Sequence, residues 1–366
     1  MRQVGFLWLG QVNDYDAAMH NLAVSPAASS WQKEMFRCVE QFLAPGKLLN
    51  YLPYRSFPRG PLVSSGEAKE SARLQWLPFL NVILLRQITL GFFAALAVYR
   101  ERRVTRVLFT YNAGLAQRFA GFAARLLRIS WVAVIAEGNY CSRASVNVFL
   151  SYSYFQSANL GPNQKLWFPG GVTKLSKPAD VSRAPGQEVV LTYAGGDSKW
   201  TGLLDLVSMF RSLQGEGFET FRLQIVGVRD VRRLTEIVDG DPRVSVLGFL
   251  RPEELDSVMS QATAFVNPRP ENMTDGYKNF PSKILLYLRY QKPILSTRSP
   301  GLGPMFDEAL DFYSSEEEFS QRLRELGDTT ASPTAKKEEH LAQLADSLAW
   351  ESMAKRLFLE LKAIGI

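Results

Sequence analysis

Lys283 occupies a position where a positive charge is locally unfavourable. It follows Pro281 and Ser282 in the stretch NFPSKILLYLRYQKPILST, residues 279–297, directly ahead of an apolar helical pattern. The first N–H groups of a helix have no partner within the helix and carry partial positive charge, so negative side chains are preferred there. An anion from outside the chain would remove this conflict, and we therefore interpret Lys283 as an anion ligand.

Two polar segments of the second half follow predicted strands and contain groups that bind phosphate. In AGGDSKWTG, residues 194–202, Gly195 and Gly196 would let the backbone approach a phosphate, and Lys199 would add charge. A tight structural turn remains the alternative for this segment. The second segment, residues 267–283, is a long polar loop, and such loops at strand ends are usually functional. Its charged residues ahead of Lys283 are Arg269, Glu271, Asp275 and Lys278.

Two further polar segments follow predicted strands of the first half. The segment GQVNDYD contains Gly10, Gln11, Asn13 and Asp14, and the segment IAEGNY contains Glu137, Gly138 and Asn139. Each is as compatible with a plain loop as with a site.

Sequence motifs exclude several chemistries. There is no Walker A pattern, no G-x-G-x-x-G, no H-E-x-x-H and no G-x-S-x-G. The only histidines, His20 and His340, are expected at the surface or at helix ends, so we expect no bound metal and no cofactor. Cys38 and Cys141 are the only cysteines, and the N-terminal residues lack a signal-peptide pattern, so we expect a cytoplasmic protein.

Charge is distributed unevenly along the chain. Residues 1–178 contain 20 Lys and Arg against 8 Asp and Glu, a net charge of +12, whereas the remaining residues carry −6. A basic half could bind nucleic acid or an anionic membrane surface. The arginines are scattered through apolar helical patterns without a nucleic-acid motif, so we expect no nucleic acid and predict that the first half faces the inner surface of the cell membrane.

Strand-like runs alternate with helical patterns in both halves of the 366 residues, which indicates an α/β protein with parallel sheets. We predict two doubly wound domains facing across a cleft, because ligands bind at the carboxyl ends of the strands in such sheets. The first domain would cover residues 1–172 and the second 189–345, joined by a polar linker over 173–188. A C-terminal helix over 346–366 could pack back on the first domain.

The apolar segment Leu74 to Arg100 is too short on either side of Arg86 to span a membrane. We predict a buried pair of helices there, with a helix face that touches lipid as the alternative.

The order of motifs in the second half resembles the nucleotide-sugar-binding domain of family 4 glycosyltransferases with the GT-B fold. The motifs are LTYAGGDSKWTGLLDLVSMF, LQIVGV, VSVLGFLRPEELDSVMSQATAFVNPRP and NFPSKILLYLRYQKPILST, followed by AWESMAKRL. The resemblance covers roughly residues 189–357 and is strongest to bacterial enzymes that build exopolysaccharide, capsule or lipopolysaccharide.

The resemblance implies a metal-independent, retaining sugar transfer from a nucleoside diphosphate to a glycan, with a polyprenyl-diphosphate-linked glycan as the expected acceptor. We predict that Lys199, Lys283, Glu271 and Glu137 are the catalytic residues. The donor-binding residues would be Gly195, Gly196, Lys199, Gly227, Phe249, Leu250, Arg269, Asp275, Phe280, Pro281, Ser282 and Lys283. The acceptor side would contain Gly10, Gln11, Asp14 and Asn139.

One departure from the family keeps alternatives open. Family members usually have a ribose-binding glutamate three residues after the lysine, where this chain has Leu286, and a second superfamily glutamate falls on Lys278. Glu271 or Asp275 could replace them. A non-catalytic relative that binds a nucleotide, a glycan or a partner enzyme is therefore one alternative, and a sugar-nucleotide epimerase is another.

Overall fold

A computed structural model describes residues 5–12, 25–43, 45–52, 54–64, 73–173, 187–215, 217–270, 276–328 and 335–366. For Pro26, Lys199 and Ala335 it describes the backbone alone. The chain forms two compact units, Met1–Gly171 with Trp350–Ile366, and Val172–Ala349.

The first unit is built on a seven-stranded parallel sheet of strand order β4-β2-β1-β6-β7-β8-β9. Its strands are β1 (Phe6–Gly10), β2 (Gly46–Asn50), β4 (Leu74–Trp76), β6 (Val107–Tyr111), β7 (Ser130–Ile135), β8 (Val146–Phe149) and β9 (Lys165–Trp167). A separate antiparallel pair consists of β3 (Val63–Ser64) and β5 (Phe79–Leu80). The helices are α1 (Pro26–Phe42), α2 (Leu85–Glu101), α3 (Leu115–Leu126) and α4 (Tyr152–Ser157).

The second unit contains a six-stranded parallel sheet of order β12-β11-β10-β13-β14-β15. Its strands are β10 (Val189–Ala194), β11 (Phe221–Val226), β12 (Val244–Gly248), β13 (Ala264–Asn267), β14 (Ile294–Ser296) and β15 (Asp311–Phe312). Its helices are α5 (Leu203–Ser212), α6 (Val231–Val238), α7 (Pro252–Gln261), α8 (Lys283–Leu288), α9 (Glu316–Gly327) and α10 (Ala335–Ser347).

The central strands are apolar at consecutive positions because helices cover both faces of a parallel sheet. Every residue of β1, with the sequence FLWLG, is buried, and so is every residue of β13. The predicted strands and the helix over residues 113–128 are confirmed in β1, β6, β7, β8 and α3, and the second alternation is confirmed in β10 to β14 with α5 to α8. Helix α1, which begins after the N-cap Ser25, was not predicted.

The predicted pair of helices over Leu74 to Arg100 is wrong. This segment forms β4, β5 and the single helix α2. Pro78 lies between the two short strands and has no N–H for a helix, while Leu74–Trp76 pairs with β2 and Phe79–Leu80 pairs with β3. No helix among the described residues has the length and apolar composition needed to cross a membrane.

The last helix of the chain, α11 (Trp350–Ala363), packs on α1 in the first unit. The Trp350 ring lies 5.8 Å from the ring of Trp31 and 6.2 Å from that of Phe168. A Cβ at Gly171 would lie 2.5 Å from the Trp350 ring, so only glycine allows this contact. Residues 174–186, which contain most of the predicted linker, lie outside the described residues.

We predict that Trp350→Ala lowers the free energy of unfolding of the first unit by about 3–5 kcal/mol, because it leaves a cavity among Trp31, Phe168 and Gly171. The matched control is Leu359→Ala on the same helix, where the side chain is exposed and the change should stay within about 0.5 kcal/mol. Urea unfolding followed by circular dichroism measures both variants. Equal effects of the two substitutions would contradict the packing role of Trp350.

Candidate active site

The candidate site lies at the carboxyl edge of the second unit's sheet, where the strand order changes direction. Strands β10, β11 and β12 succeed one another on one side, and β13 to β15 continue on the other side of β10. The carboxyl ends of β10 and β13 therefore form the switch point at which open α/β sheets bind ligands.

Tyr287 holds this switch point together. Its hydroxyl accepts a hydrogen bond of 2.9 Å from the Ala194 N–H at the end of β10 and donates one of 3.1 Å to the Val266 carbonyl in β13. The buried ring also stacks on Phe265, with centroids 4.7 Å apart. Because Tyr287 lies one helical turn after Lys283, this bridge fixes α8 and directs Lys283 to the same face.

Lys283 carries a buried ammonium group with no described hydrogen-bond partner. Its Nζ is buried and lies 3.9 Å from the centroid of the Tyr193 ring, while the residue as a whole is partly exposed. Burial, and to a smaller extent the charge of Arg269, together lower the pKa of Lys283 to about 7. The ring face of Tyr193 offsets part of the cost of the charge.

Arg269 is a second cation without a described carboxylate partner. It follows β13, it is half-buried, and its Nε is buried without a hydrogen bond to any described residue. Burial lowers the pKa of its guanidinium, while the nearby Tyr193 raises it. The Thr297 hydroxyl donates a hydrogen bond to the Arg269 carbonyl and so holds the start of this loop against the end of β14.

The glycines after β10 and β11 allow the close approach of these groups. A Cβ at Gly195 would lie 3.1 Å from the Nζ of Lys283 and 2.9 Å from the hydroxyl of Tyr193. Gly227 has φ +90° and lies against the backbone of Gly195. A Cβ at Gly227 would lie 3.1 Å from both the N and the O of Gly195. The Tyr193 hydroxyl donates a hydrogen bond of 2.7 Å to the Gly196 carbonyl, which fixes the turn.

Other residues predicted for the donor side lie around this cluster. The backbone of Lys199 begins a short 3-10 turn, and α5 starts soon after it without a side-chain cap, which leaves N–H groups at its N-terminus. Phe249 and Leu250 follow β12, and Ser282 is exposed at the start of α8. Phe280 is a core residue, since it is buried against Phe306. Pro281 is also buried, and Glu271 and Asp275 lie outside the described residues.

In the first unit, two buried amides fix the segment after β1. Gln32 pairs with both the N–H and the carbonyl of Gln11, at 3.2 and 3.1 Å, and Asn50 does the same for Val12, at 2.9 and 2.6 Å. A Cβ at Gly10 would lie 2.0 Å from the Gln32 Oε1, so glycine is required there. Asn13 and Asp14 lie outside the described residues.

The side chain of Gln11 joins a polar cluster at the carboxyl edge of this sheet. Gln117 donates a hydrogen bond of 3.0 Å to the buried hydroxyl of Tyr51, and Gln11 lies near the same hydroxyl. Glu137 and Asn139 are exposed after β7 and are not part of this cluster.

Sequence reasoning missed the tyrosines that organise the second unit's site. Tyr287 stands four residues after Lys283, and this helical spacing was a usable signal. Tyr193 stands two residues before Gly195 within a largely apolar strand, and nothing in the sequence distinguishes it from a core residue. Among the residues that the structure describes, no three His, Cys, Asp or Glu side chains come together as a metal site.

Comparison with known proteins agrees with this architecture. Residues 188–327 match the family model described as glycosyl transferases group 1. No curated protein sequence matches the chain.

Solved structures similar to the whole chain include the apo form of the lipopolysaccharide outer core galactosyltransferase WaaB, at 10% identity and a TM-score of 0.69, covering 98% of this chain and 99% of that one. WaaG, a glycosyltransferase involved in lipopolysaccharide biosynthesis, matches at 12% identity and a TM-score of 0.64, covering 96% and 98%. HepE from Anabaena, in complex with UDP and glucose, matches at 13% identity and a TM-score of 0.63, covering 98% and 100%. The chain thus has the GT-B fold of two Rossmann-like domains, and residues 188–327 in its second half match the model of group 1 glycosyl transferases.

Proposed function

We propose that this protein transfers a sugar, with retention of configuration, from a nucleoside diphosphate to a lipid-linked glycan in bacterial surface polysaccharide synthesis. The observation that carries the proposal is the pair of partly buried cations, Lys283 and Arg269, that lie beside the Gly195 turn at the switch point without a described carboxylate partner. A diphosphate supplies the negative charge that would balance them. The similar HepE structure contains UDP and glucose, which supports a nucleotide-sugar donor.

The chemistry follows from the charge that develops on the leaving group. When the bond between the sugar and the diphosphate breaks, negative charge accumulates on the departing oxygen. Lys283 and Arg269 would stabilise this charge from fixed positions, with Lys199 as a further cation from the loop after β10. This assignment needs no metal ion. Glu271 or Asp275 would hold the ribose or the sugar.

The acceptor would bind at the carboxyl edge of the first unit's sheet. Gly10, Gln11, Asp14 and Asn139 are the proposed acceptor-side residues, and Glu137 is the proposed catalytic carboxylate from that side. The double clamp by Gln32 and Asn50 supports a binding role, because it fixes the backbone of Gln11 and Val12 directly after β1.

Leu286 favours a second candidate function, a non-catalytic nucleotide- or glycan-binding subunit. Leu286 is an apolar residue of α8 and cannot accept hydrogen bonds from ribose hydroxyls. The two functions differ in turnover. Release of free sugar or formation of a glycosidic bond from a UDP-sugar, with and without a lipid-linked acceptor, supports the enzyme, whereas binding without either product supports the alternative.

The lowered pKa of Lys283 predicts that UDP binding takes up a proton. In the free protein the pKa of Lys283 is about 7, so at pH 8 the amine is mostly neutral. A diphosphate beside it stabilises the charged form and raises the pKa, so close to one proton should be taken up per UDP at pH 8. Calorimetry in two buffers of different ionisation enthalpy measures this number. Binding without proton uptake would mean that Lys283 does not meet the phosphates.

Lys283→Met should weaken UDP binding by roughly 10- to 100-fold, since a charge-assisted hydrogen bond is lost, and should abolish the proton uptake. The control is Lys355→Met, which removes an exposed lysine on α11 and should leave both quantities unchanged. If Lys283→Met bound UDP as the parent does, the site would be misplaced.

Chelation provides a test that does not depend on any one residue. With the leaving diphosphate stabilised by Lys283 and Arg269, sugar transfer should proceed at an unchanged rate in EDTA. Loss of turnover in EDTA that manganese or magnesium restores would contradict the proposed electrostatics, while leaving the fold untouched.

A further inference from the structure

The first unit exposes large apolar side chains on two adjacent elements. Ile83 and Leu84, directly before α2, are 73% and 81% exposed, Phe92 on α2 is 60% exposed, and Ile88 on α2 is also exposed. Leu62 and Val63 are exposed beside them, next to and on the β3–β5 pair. We call these six residues the α2 apolar surface.

Hydrogen bonds make this surface continuous. The Asn81 N–H donates to the Leu62 carbonyl at 2.8 Å, which joins the two sides of the antiparallel pair. The Leu80 N–H donates to the Thr89 hydroxyl at 3.1 Å, which joins the pair to α2. The segments that carry the six exposed side chains therefore lie next to one another.

Helix α2 is apolar on two faces, and only one of them is covered within the unit. Leu90, Ala94 and Val98 are buried, whereas Leu84, Ile88 and Phe92 recur every four residues on an exposed face. The outer face of a helix in a water-soluble domain normally carries polar side chains. A contiguous exposed apolar patch of this kind marks a surface that something else covers.

The charges around the surface indicate what covers it. Residues 41–100 contain seven Lys and Arg and two acidic residues, Glu67 and Glu70, and two of the cations, Lys47 and Arg73, are paired with Glu101 and Glu40 outside this range. Arg55 and Arg59 are exposed on the loop before Leu62. A second copy of the chain on this surface would bring like charges together, whereas an anionic lipid bilayer matches both the apolar side chains and the arginines.

We propose that the α2 apolar surface inserts into the interfacial layer of an anionic bilayer, with α2 lying along the membrane and Arg55 and Arg59 on lipid phosphates. This identifies the surface that would bring the first unit to its acceptor, and it rests on the proposed function only for the nature of that acceptor. The helix has 17 residues and lies in the bilayer surface rather than across it.

Sedimentation with vesicles tests the proposal on the full-length protein without any sugar donor. Vesicles of phosphatidylcholine mixed with phosphatidylglycerol should bind the protein, and salt should weaken the binding. Leu84→Glu and Phe92→Glu should each lower the partition coefficient by about tenfold or more, because each replaces an apolar side chain that enters the bilayer with a charge. Arg59→Gln should lower it by about fivefold on the anionic vesicles and leave binding to pure phosphatidylcholine unchanged.

The matched control is Leu359→Glu, which puts the same charge on an exposed leucine of α11 outside the surface and should bind as the parent does. Circular dichroism checks that each variant is folded. Equal losses for Leu359→Glu and Leu84→Glu would overturn the proposal, as would binding that ignores anionic lipid. A dimer in gel filtration that Leu84→Glu dissociates would also overturn the proposal, because the α2 apolar surface would then join two chains. UDP calorimetry does not depend on membrane binding. Failure of the membrane proposal can therefore be distinguished from failure of the proposed function.

Discussion

The hydroxyl of Tyr287 connects the two strands that separate at the centre of the second unit's sheet. Strands β10 and β13 pair at Leu191–Ala264 and Thr192–Phe265, and beyond that point the tyrosine takes the place of a direct strand-to-strand bond. A buried backbone N–H and carbonyl that would otherwise lack partners are both satisfied. The same hydroxyl anchors α8. The separation of β10 from β13 and the position of Lys283 therefore both depend on the side chain of Tyr287.

That anchoring has an electrostatic consequence. An ammonium held in a buried position without a counter-ion among the described residues destabilises the empty protein, and the lowered pKa of Lys283 expresses this cost. Arg269 adds to it through like-charge repulsion. A site of this kind gives up folding stability in the unliganded state and recovers it when an anion binds, which is a form of preorganisation that a solvated lysine cannot provide.

Both units hold a loop in place directly after a central strand, but they use different side chains to do so. Each has a glycine at the end of a strand next to its switch point, Gly10 in β1 and Gly195 after β10, and each glycine is required by a close side chain. In the first unit neutral amides of Gln32 and Asn50 hold the following loop, while in the second unit a tyrosine and a lysine surround it. The amides of the first unit are occupied by the backbone, whereas the cations of the second unit suit phosphate.

The alternation of apolar strands and helical patterns was enough to predict two parallel sheets, because a period of two or 3.6 residues is a local property. Gly195, Arg269 and Lys283 were identified for the same reason, since each follows or precedes a recognisable element. The sequence did not reveal that the Lys283 ammonium is buried against Tyr193, that Tyr287 anchors its helix, or that Leu74–Trp76 and Phe79–Leu80 pair as strands. These outcomes depend on which strands become neighbours, and on how completely atoms from distant parts of the chain exclude water from the Lys283 ammonium. The sequence alone therefore determined the type of fold and the segments that form the site. The tertiary structure decided the charge state of Lys283 and the partners of each strand, because desolvation and strand pairing arise from contacts between residues far apart in the chain.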